Sequence, residues 1–266
     1  MSDEKEPVIS VGGSIEKALK GEYVIDVSSV IKEAWQYTLQ SRVSINLGLL
    51  LSLLIGMTVV LIASNFMGGI EHIISDPQSS SLMNIIVTLA ISPFLAGVEM
   101  MGVFHSIRVN THAKLIFSFL KRGSWVAVCA ILSSMLITLG LTMLYLPGIF
   151  LLVALSLTIP LVVEKEMSPL KAIVLCIKAT RFQWFKLFTL YSILTLVLAV
   201  SLIPLFILIL TKSSFVFIGI VIFLFSITYL APLFYNVKGI LYREIFGLKL
   251  HTEEAIAAQQ NDSFSA

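Results

Sequence analysis

Ionisable side chains are scarce inside the apolar stretches of this sequence, and Glu99 is the acidic residue that lies within one. A charged group inside a bilayer is costly and usually faces protein or water, so it marks a proton, cation or headgroup site or a structural ion pair. Lys238 and Asn236 follow the last apolar stretch, and Gly97 and Gly102 flank Glu99, which favours close helix packing. We therefore predict an intramembrane polar site at Glu99, Lys238 and Asn236. The alternatives are a purely structural ion pair of Glu99, for example with Lys238, a Glu99 carboxylate that extends to the inner membrane surface, and simple anchoring of Lys238 at that surface.

Basic residues beside tryptophans form a second group of candidates. Tryptophan prefers the water–lipid boundary, and Lys or Arg close to that boundary attracts anionic lipid. We expect residues of this kind to contact lipid headgroups. They are Lys121, Arg122, Trp125, Lys171, Lys178, Arg181 and Trp184.

Motifs of known catalytic sites are absent from the sequence, which contains no Walker A, HExxH or GxSxG pattern. His105 and His112 lie seven residues apart with nothing to fix a shared geometry, so no metal site is expected. Cys129 and Cys176 are far apart and form neither a disulfide framework nor a CxxC motif. We predict no catalytic residue and no cofactor.

The composition excludes a water-soluble domain. Of the 266 residues, 57% are hydrophobic and 13% charged, whereas soluble domains have about 45–50% and about 25%. The net charge of +2 is too small to favour a nucleic-acid partner. The segment Met1–Asp26 is polar and has no apolar core, so we expect no cleavable signal peptide.

The apolar stretches predict six membrane-spanning helices, because about 20 apolar residues cross about 30 Å of hydrocarbon. Trp125–Val163 is read as two spans, since about 1.5 Å per residue makes it about 60 Å long, and Pro147-Gly148 predicts the turn between them. The predicted spans are Val43–Ser64, Leu82–His105, Ser124–Leu146, Gly148–Val163, Lys186–Leu210 and Ser214–Tyr235.

The distribution of Lys and Arg predicts the orientation of these spans. If the chain crosses the membrane six times, 17 of its 18 Lys and Arg residues lie on one side, and Lys212 lies on the other. Basic residues stay on the cytoplasmic side, so both termini are expected there. The sequence thus predicts an all-α, polytopic transmembrane helical bundle in a bacterial-type inner membrane. A membrane domain at residues 27–246 lies between polar cytoplasmic segments at 1–26 and 247–266.

Three cytoplasmic segments share a pattern of apolar residues at helical spacing followed by basic residues and an aromatic. They are Val27–Thr38, Ala113–Arg122 and the segment that begins at Ser168-Pro169, a pair typical of a helix start. We predict interfacial helices that lie in the headgroup layer, with a protein-docking role as the alternative. The even-numbered spans each contain a proline, which suggests a threefold repeat, with chance as the alternative: Pro93, Pro160 and Pro232.

The region from Pro147-Gly148 to Leu187 resembles bacterial six-span inner-membrane proteins of the YciC-like type. It also resembles the membrane domain fused to some glycerophosphodiester phosphodiesterases. The family pattern is a span that ends in proline and an acidic residue, an amphipathic helix and a basic-aromatic start of the next span. The matching residues are Pro160, Glu164, Ala172, Arg181, Trp184 and Lys186. The resemblance covers residues 27–246 and implies a fold and a location, but no phosphodiesterase activity, since that catalytic domain is absent.

Three functions are consistent with this sequence. The first is a non-catalytic membrane protein that organises or interacts with lipid or envelope proteins. The second is a small transporter that uses Glu99 and proline-bent helices. The third, a membrane-embedded enzyme acting on lipid, lacks a clustered nucleophile, base or metal set. Membrane lipids, anionic ones included, are the expected partners, and a protein partner or a second copy of the chain remains an alternative.

Overall fold

Helices form most of the structure. The computed structural model describes residues 9–143, 145–212 and 214–250. In chain order the elements are β1 (Ile9–Val11), α1 (Ile15–Lys20), α2 (Val27–Phe66), α3 (Ile70–Ser75), α4 (Pro77–His105), α5 (Gly123–Met143), α6 (Tyr145–Ala154), α7 (Thr158–Glu164), α8 (Pro169–Thr180), α9 (Trp184–Leu210), α10 (Val216–Phe246) and β2 (Leu248–Leu250). Short 3₁₀ helices lie at Ala113–Phe117, Leu120–Arg122, Leu155–Leu157 and Arg181–Gln183.

Six helical stretches in the described ranges are long and apolar enough to cross a membrane. This confirms the predicted all-α, six-span class. Each predicted span overlaps one of the six stretches, which are Val27–Phe66, Pro77–His105, Ala113–Met143, Tyr145–Glu164, Pro169–Leu210 and Val216–Phe246.

The predicted turn at Pro147-Gly148 is wrong. α5 ends at Met143 and α6 begins at Tyr145, so this pair lies inside the first turn of α6. Proline is tolerated there because the first N–H groups of a helix have no intrahelical acceptor. A Cβ atom on Gly140 would lie 2.8 Å from the Cα atom of Gly148. The glycine therefore allows α5 and α6 to approach closely.

The three segments predicted as interfacial helices have three different forms. Val27–Thr38 is not separate, because α2 continues without a break for 40 residues. At about 1.5 Å per residue α2 is about 60 Å long, so its first part extends beyond the predicted span. Residues 113–122 form two short 3₁₀ helices, whereas α8 begins at Pro169, as the Ser168-Pro169 pair predicts.

The predicted pattern of proline positions is only partly kept. Pro93 and Pro232 lie inside α4 and α10, whereas Pro160 is the third residue of α7. In span four, a 3₁₀ turn at Leu155–Leu157 precedes Pro160 and interrupts the α-helix. Pro204 lies inside α9, a span that the threefold pattern treats as straight. The secondary structure thus does not repeat three times.

The chain divides into two compact units. The first contains Met1–Asn46, Gly102–Thr111 and Ala179–Ala266, and the second contains Leu47–Met101 and His112–Lys178. In the first unit, β1 pairs antiparallel with β2, with Ser10 opposite Lys249. This pairing joins the two segments that the sequence predicts as polar cytoplasmic ends. Residues 1–8 and 251–266 of those segments lie outside the described residues.

Hydrogen bonds fix the segment before α2 in the first unit. The hydroxyl of Tyr23 donates to the carbonyl oxygen of Ala179 over 2.7 Å, and the amide of Ile25 donates to the side chain of Gln183 over 3.0 Å. Burial raises the pKa of Tyr23 to about 12, because it disfavours the charged phenolate.

The second unit contains α5, which packs against α6 and α7. Ile116, in the 3₁₀ segment after α4, is fully buried. A Cβ atom on Gly97 would overlap the backbone of Ile116, so glycine is needed where this segment contacts α4. Gly97 therefore packs against protein, as the sequence predicts.

Gly102, at the end of α4, and Gly239 of α10 form a close helix contact in the first unit. A Cβ atom on Gly239 would overlap the carbonyl group of Gly102, and one on Gly102 would overlap the carbonyl oxygen of Tyr235. Both obstructions are backbone atoms, which cannot rotate away. The contact of α4 with α10 thus requires a residue without a side chain at both positions.

We expect Gly239→Ala to lower the melting temperature of the detergent-solubilised protein strongly, because α4 and α10 must separate. Gly48→Ala is the matched control, since the atoms nearest its Cβ atom would be side-chain atoms of Met101, Val98 and Ile116, at 3.1–3.3 Å, and not backbone atoms. Alanine is also more favourable than glycine in a helix interior by about 1 kcal/mol, which offsets part of any loss of stability in both variants. Tryptophan fluorescence during heating measures both variants. Equal melting temperatures of the two would contradict the close contact.

Candidate functional site

The predicted site residues fall in both units. Asn236 and Lys238 are buried in the first unit, and Glu99 is buried in the second. The ammonium group of Lys238 lies 5.8 Å from the ring centre of Phe234, within cation–π range. The hypothesis that Glu99 serves transport stays a prediction.

His105 is the centre of a buried polar cluster, which consists of Thr38, Ser41, Ser44, His105, Thr111 and Asn236. All six lie in the first unit, and His105 is 3% exposed. Its Nδ1 atom lies 3.0 Å from Asn236 Oδ1 and 3.1 Å from Ser41 Oγ. Its Nε2 atom lies 2.7 Å from Thr111 Oγ1 and 3.5 Å from Ser44 Oγ. Both ring nitrogens are therefore within hydrogen-bond distance of polar side chains.

The hydrogen-bond directions place a proton on Nδ1 of His105. The hydroxyl of Thr38 donates to the carbonyl oxygen of Ala34 over 2.8 Å, so Thr38 Oγ1 accepts from Asn236 Nδ2 over 3.0 Å. The carbonyl end of the Asn236 amide then faces His105. A carbonyl oxygen only accepts, so Nδ1 is the donor.

The other side of the ring accommodates either protonation state. Thr111 Oγ1 lies 3.2 Å from Ser44 Oγ, and the Ser44 hydroxyl donates to the carbonyl oxygen of Ser41 over 2.9 Å. When His105 is neutral, the Thr111 hydroxyl donates to Nε2. When His105 is protonated, Nε2 donates to Thr111, and the Thr111 hydroxyl turns to Ser44. In either state Nδ1, Nε2 and the Thr111 hydroxyl each have a hydrogen-bond partner within the cluster.

An ion pair lies in the same unit. Arg243 of α10 donates to both carboxylate oxygens of Glu33 of α2, over 2.7 and 3.0 Å. It also donates to Glu244 Oε1 over 2.8 Å and to the carbonyl oxygen of Ser106. The bidentate contact of Arg243 with Glu33 therefore joins α10 to α2.

A basic pocket opens on the surface of the second unit. Its volume is about 480 Å³, and it is lined by Lys121, Arg122, Trp125, Glu166, Met167 and Ser168. The structure thus brings together three of the predicted lipid-contact residues. Arg122 Nη2 lies 2.8 Å from Glu166 Oε2. Trp125 is 52% exposed, as expected of a residue at a membrane boundary.

α8 presents a mixed surface. Its exposed residues are Leu170, Lys171, Val174 and Lys178. Ile173 shares the helical spacing of Leu170 and Val174, but it is 3% exposed and faces the protein interior. Lys171 and Lys178 lie seven residues apart, which places both on one face of the helix.

Arg181 and Trp184 lie in the first unit. Arg181 is exposed and its guanidinium lies 4.6 Å from the ring centre of Phe182. Trp184 is half-buried and stacks on Phe188 with ring centres 5.0 Å apart. The structure therefore places Arg181 at the surface and packs Trp184 into an aromatic cluster at the start of α9.

No family model, curated protein or solved structure matches this chain. The likeness to YciC-like proteins therefore stays a prediction.

The sequence reasoning missed most of the buried polar cluster. One signal was available, because Thr38, Ser41 and Ser44 recur every third residue along α2. Such a stripe of hydroxyl groups favours contact with polar groups on a neighbouring helix. Nothing in the local sequence indicates that His105 and Thr111 reach this stripe. The sequence also did not predict that Glu166 lines the basic pocket.

We expect Thr38→Val to lower the free energy of unfolding by about 1–3 kcal/mol, because it leaves the buried amide of Asn236 without its acceptor. Valine keeps the shape of threonine, so packing changes little. Thr189→Val is the control, since Thr189 is exposed and bonds only the carbonyl oxygen of Phe185 in its own helix. That change is expected to stay within about 0.5 kcal/mol. Thermal unfolding in detergent measures both, and an equal effect would argue against the connected cluster.

Proposed function

We propose that this chain is a non-catalytic, multi-pass protein of a bacterial-type inner membrane whose cytoplasmic face contacts anionic lipid. The exposed face of α8 is the observation that carries this proposal. Leu170 and Val174 suit the acyl boundary, while Lys171 and Lys178 suit the headgroup layer. Long basic side chains keep their charge in water while their stems cover apolar surface.

The exposed apolar surface of the long helices supports the membrane assignment. In α2 the side chains of Leu50, Leu53, Leu54, Met57 and Leu61 are more than half exposed. In the most apolar window of Pro169–Leu210 only 6% of the residues are buried, against 56% for Tyr145–Glu164. Such surfaces are stable in lipid and would aggregate in water. Span four is thus the most enclosed by protein.

The proposed orientation places both termini and α8 in the cytoplasm. It rests on the one-sided distribution of Lys and Arg, to which Lys212 is the exception. The basic pocket then lies on the same side of the membrane as α8. Anionic lipid of the inner leaflet attracts basic residues by about 1 kcal/mol for each side chain near the surface.

We expect a cysteine at Gln78 to react with a membrane-impermeant maleimide in intact cells, and a cysteine at Lys178 to react only after permeabilisation. Both positions are exposed, and they lie in segments predicted on opposite sides. The native Cys129 and Cys176 are buried, so the unchanged chain measures the background. Labelling of Lys178→Cys in intact cells would overturn the orientation.

We expect the triple change Lys171→Gln, Lys178→Gln and Arg181→Gln to reduce the enrichment of anionic lipid around the protein roughly fivefold or more. The protein is solubilised from vesicles of equal phosphatidylglycerol and phosphatidylcholine, and mass spectrometry counts the lipids recovered with it.

A second triple variant controls for the loss of charge in this experiment. Lys17→Gln, Lys20→Gln and Lys212→Gln remove the same charge from exposed positions outside α8. We expect this control to retain the enrichment of the unchanged protein. If both triple variants recover the same lipids as the unchanged protein, the lipid-contact function is wrong.

A further inference from the structure

We propose that the basic pocket binds the phosphate group of an anionic lipid headgroup and that the carboxylate of Glu166 occupies the same position when no headgroup is bound. This inference rests on the proposed lipid-contact function and names its ligand. Glu166 is then an internal competitor, because it pairs with the cation that a phosphate needs.

The first argument is the contact between Arg122 and Glu166. Their side chains are 31% and 69% exposed, and the two charged atoms are 2.8 Å apart. A guanidinium group binds carboxylate and phosphate oxygens with the same planar arrangement of donors. The Glu166 carboxylate therefore marks a position that a phosphate oxygen can take. Exposed ion pairs are weak, so an incoming phosphate displaces this carboxylate readily.

The remaining lining of the pocket suits a lipid headgroup. Lys121 supplies a second positive charge, so the lining carries more positive than negative charge even with Glu166 in place. Ser168 offers a hydroxyl donor to a phosphate oxygen. Trp125 and Met167 provide apolar surface for the glycerol and the start of the acyl chains, and exposed Trp125 is typical of a residue at this depth.

The backbone at Glu166 supports a role for its side chain. Its φ angle is +55°, in the left-handed region that side-chain-bearing residues rarely adopt. The position follows the end of α7, where chains most often use glycine. Here the chain instead has a carboxylate that reaches Arg122, at a cost in backbone strain.

The proposal is tested with Glu166→Gln in the full-length protein in neutral detergent. Calorimetric titrations use dihexanoyl phosphatidylglycerol, dihexanoyl phosphatidylcholine and glycerol 3-phosphate as probes. We expect Glu166→Gln to bind phosphatidylglycerol about two- to fivefold more tightly than the unchanged protein, because Arg122 is released from a weak competitor. The charge-matched control is Glu71→Gln, an exposed acidic residue outside the pocket, which is expected to leave the affinity unchanged.

Two further variants separate the pocket from a general charge effect. Arg122→Gln is expected to weaken phosphatidylglycerol binding about tenfold, and Arg122→Gln combined with Glu166→Gln is expected to show no gain over Arg122→Gln alone. The proposal is overturned if Glu166→Gln and Glu71→Gln act alike, or if Glu166→Gln still tightens binding without Arg122. Melting temperatures of all variants show whether each is folded.

The probes distinguish the source of the phosphate. Tighter binding of phosphatidylglycerol than of both other probes supports the anionic lipid. Equal binding of glycerol 3-phosphate overturns the lipid assignment in favour of a soluble phosphate ester. The result is also separable from the proposed function: if the α8 triple variant loses lipid while Glu166→Gln has no effect, the lipid-contact function stands and the pocket proposal fails.

Discussion

A polar group placed among apolar helices must find its hydrogen bonds inside the protein, because lipid supplies none. The first unit meets this constraint through the buried polar cluster. There Thr38 accepts a hydrogen bond from the Asn236 amide, and Asn236 accepts one from His105. Since these three residues lie on α2, α10 and the end of α4, their hydrogen bonds join these three elements within the unit. The backbone contact of Gly102 with Gly239 brings α4 and α10 close enough for those bonds to form.

The charged residues fall into two groups, those buried and paired within the protein and those exposed at its surface. Arg243 is largely buried and is held by Glu33 and Glu244, so its charge stabilises the first unit. Lys171 and Lys178 are exposed on α8, so their charges are open to an external partner. Arg122 lies between these cases, because it is partly exposed and its carboxylate partner is mostly in solvent. A pair of this kind exchanges partners at small cost, and the proposed role of Glu166 depends on that property.

Much of the fold was predictable because bilayer thickness fixes the length of a spanning helix. Six apolar stretches of sufficient length led to the correct class. The turn at Pro147-Gly148 was wrong because proline is typical both of turns and of the first turn of a helix. The separate helix at Val27–Thr38 was wrong for a different reason: an amphipathic pattern shows which face is apolar, but it does not show where the helix ends.

The sequence by itself determined the membrane class and the six apolar helices, since each depends on composition over about 20 neighbouring residues. Only the tertiary structure decided that His105 meets Asn236, 131 residues further along the chain, and that Glu33 binds Arg243. Likewise, only the structure placed Ile173 in the interior and Val174 at the surface. These contacts depend on how each helix is rotated against its neighbours, and that rotation is set by close packing over many residues, which no local pattern encodes.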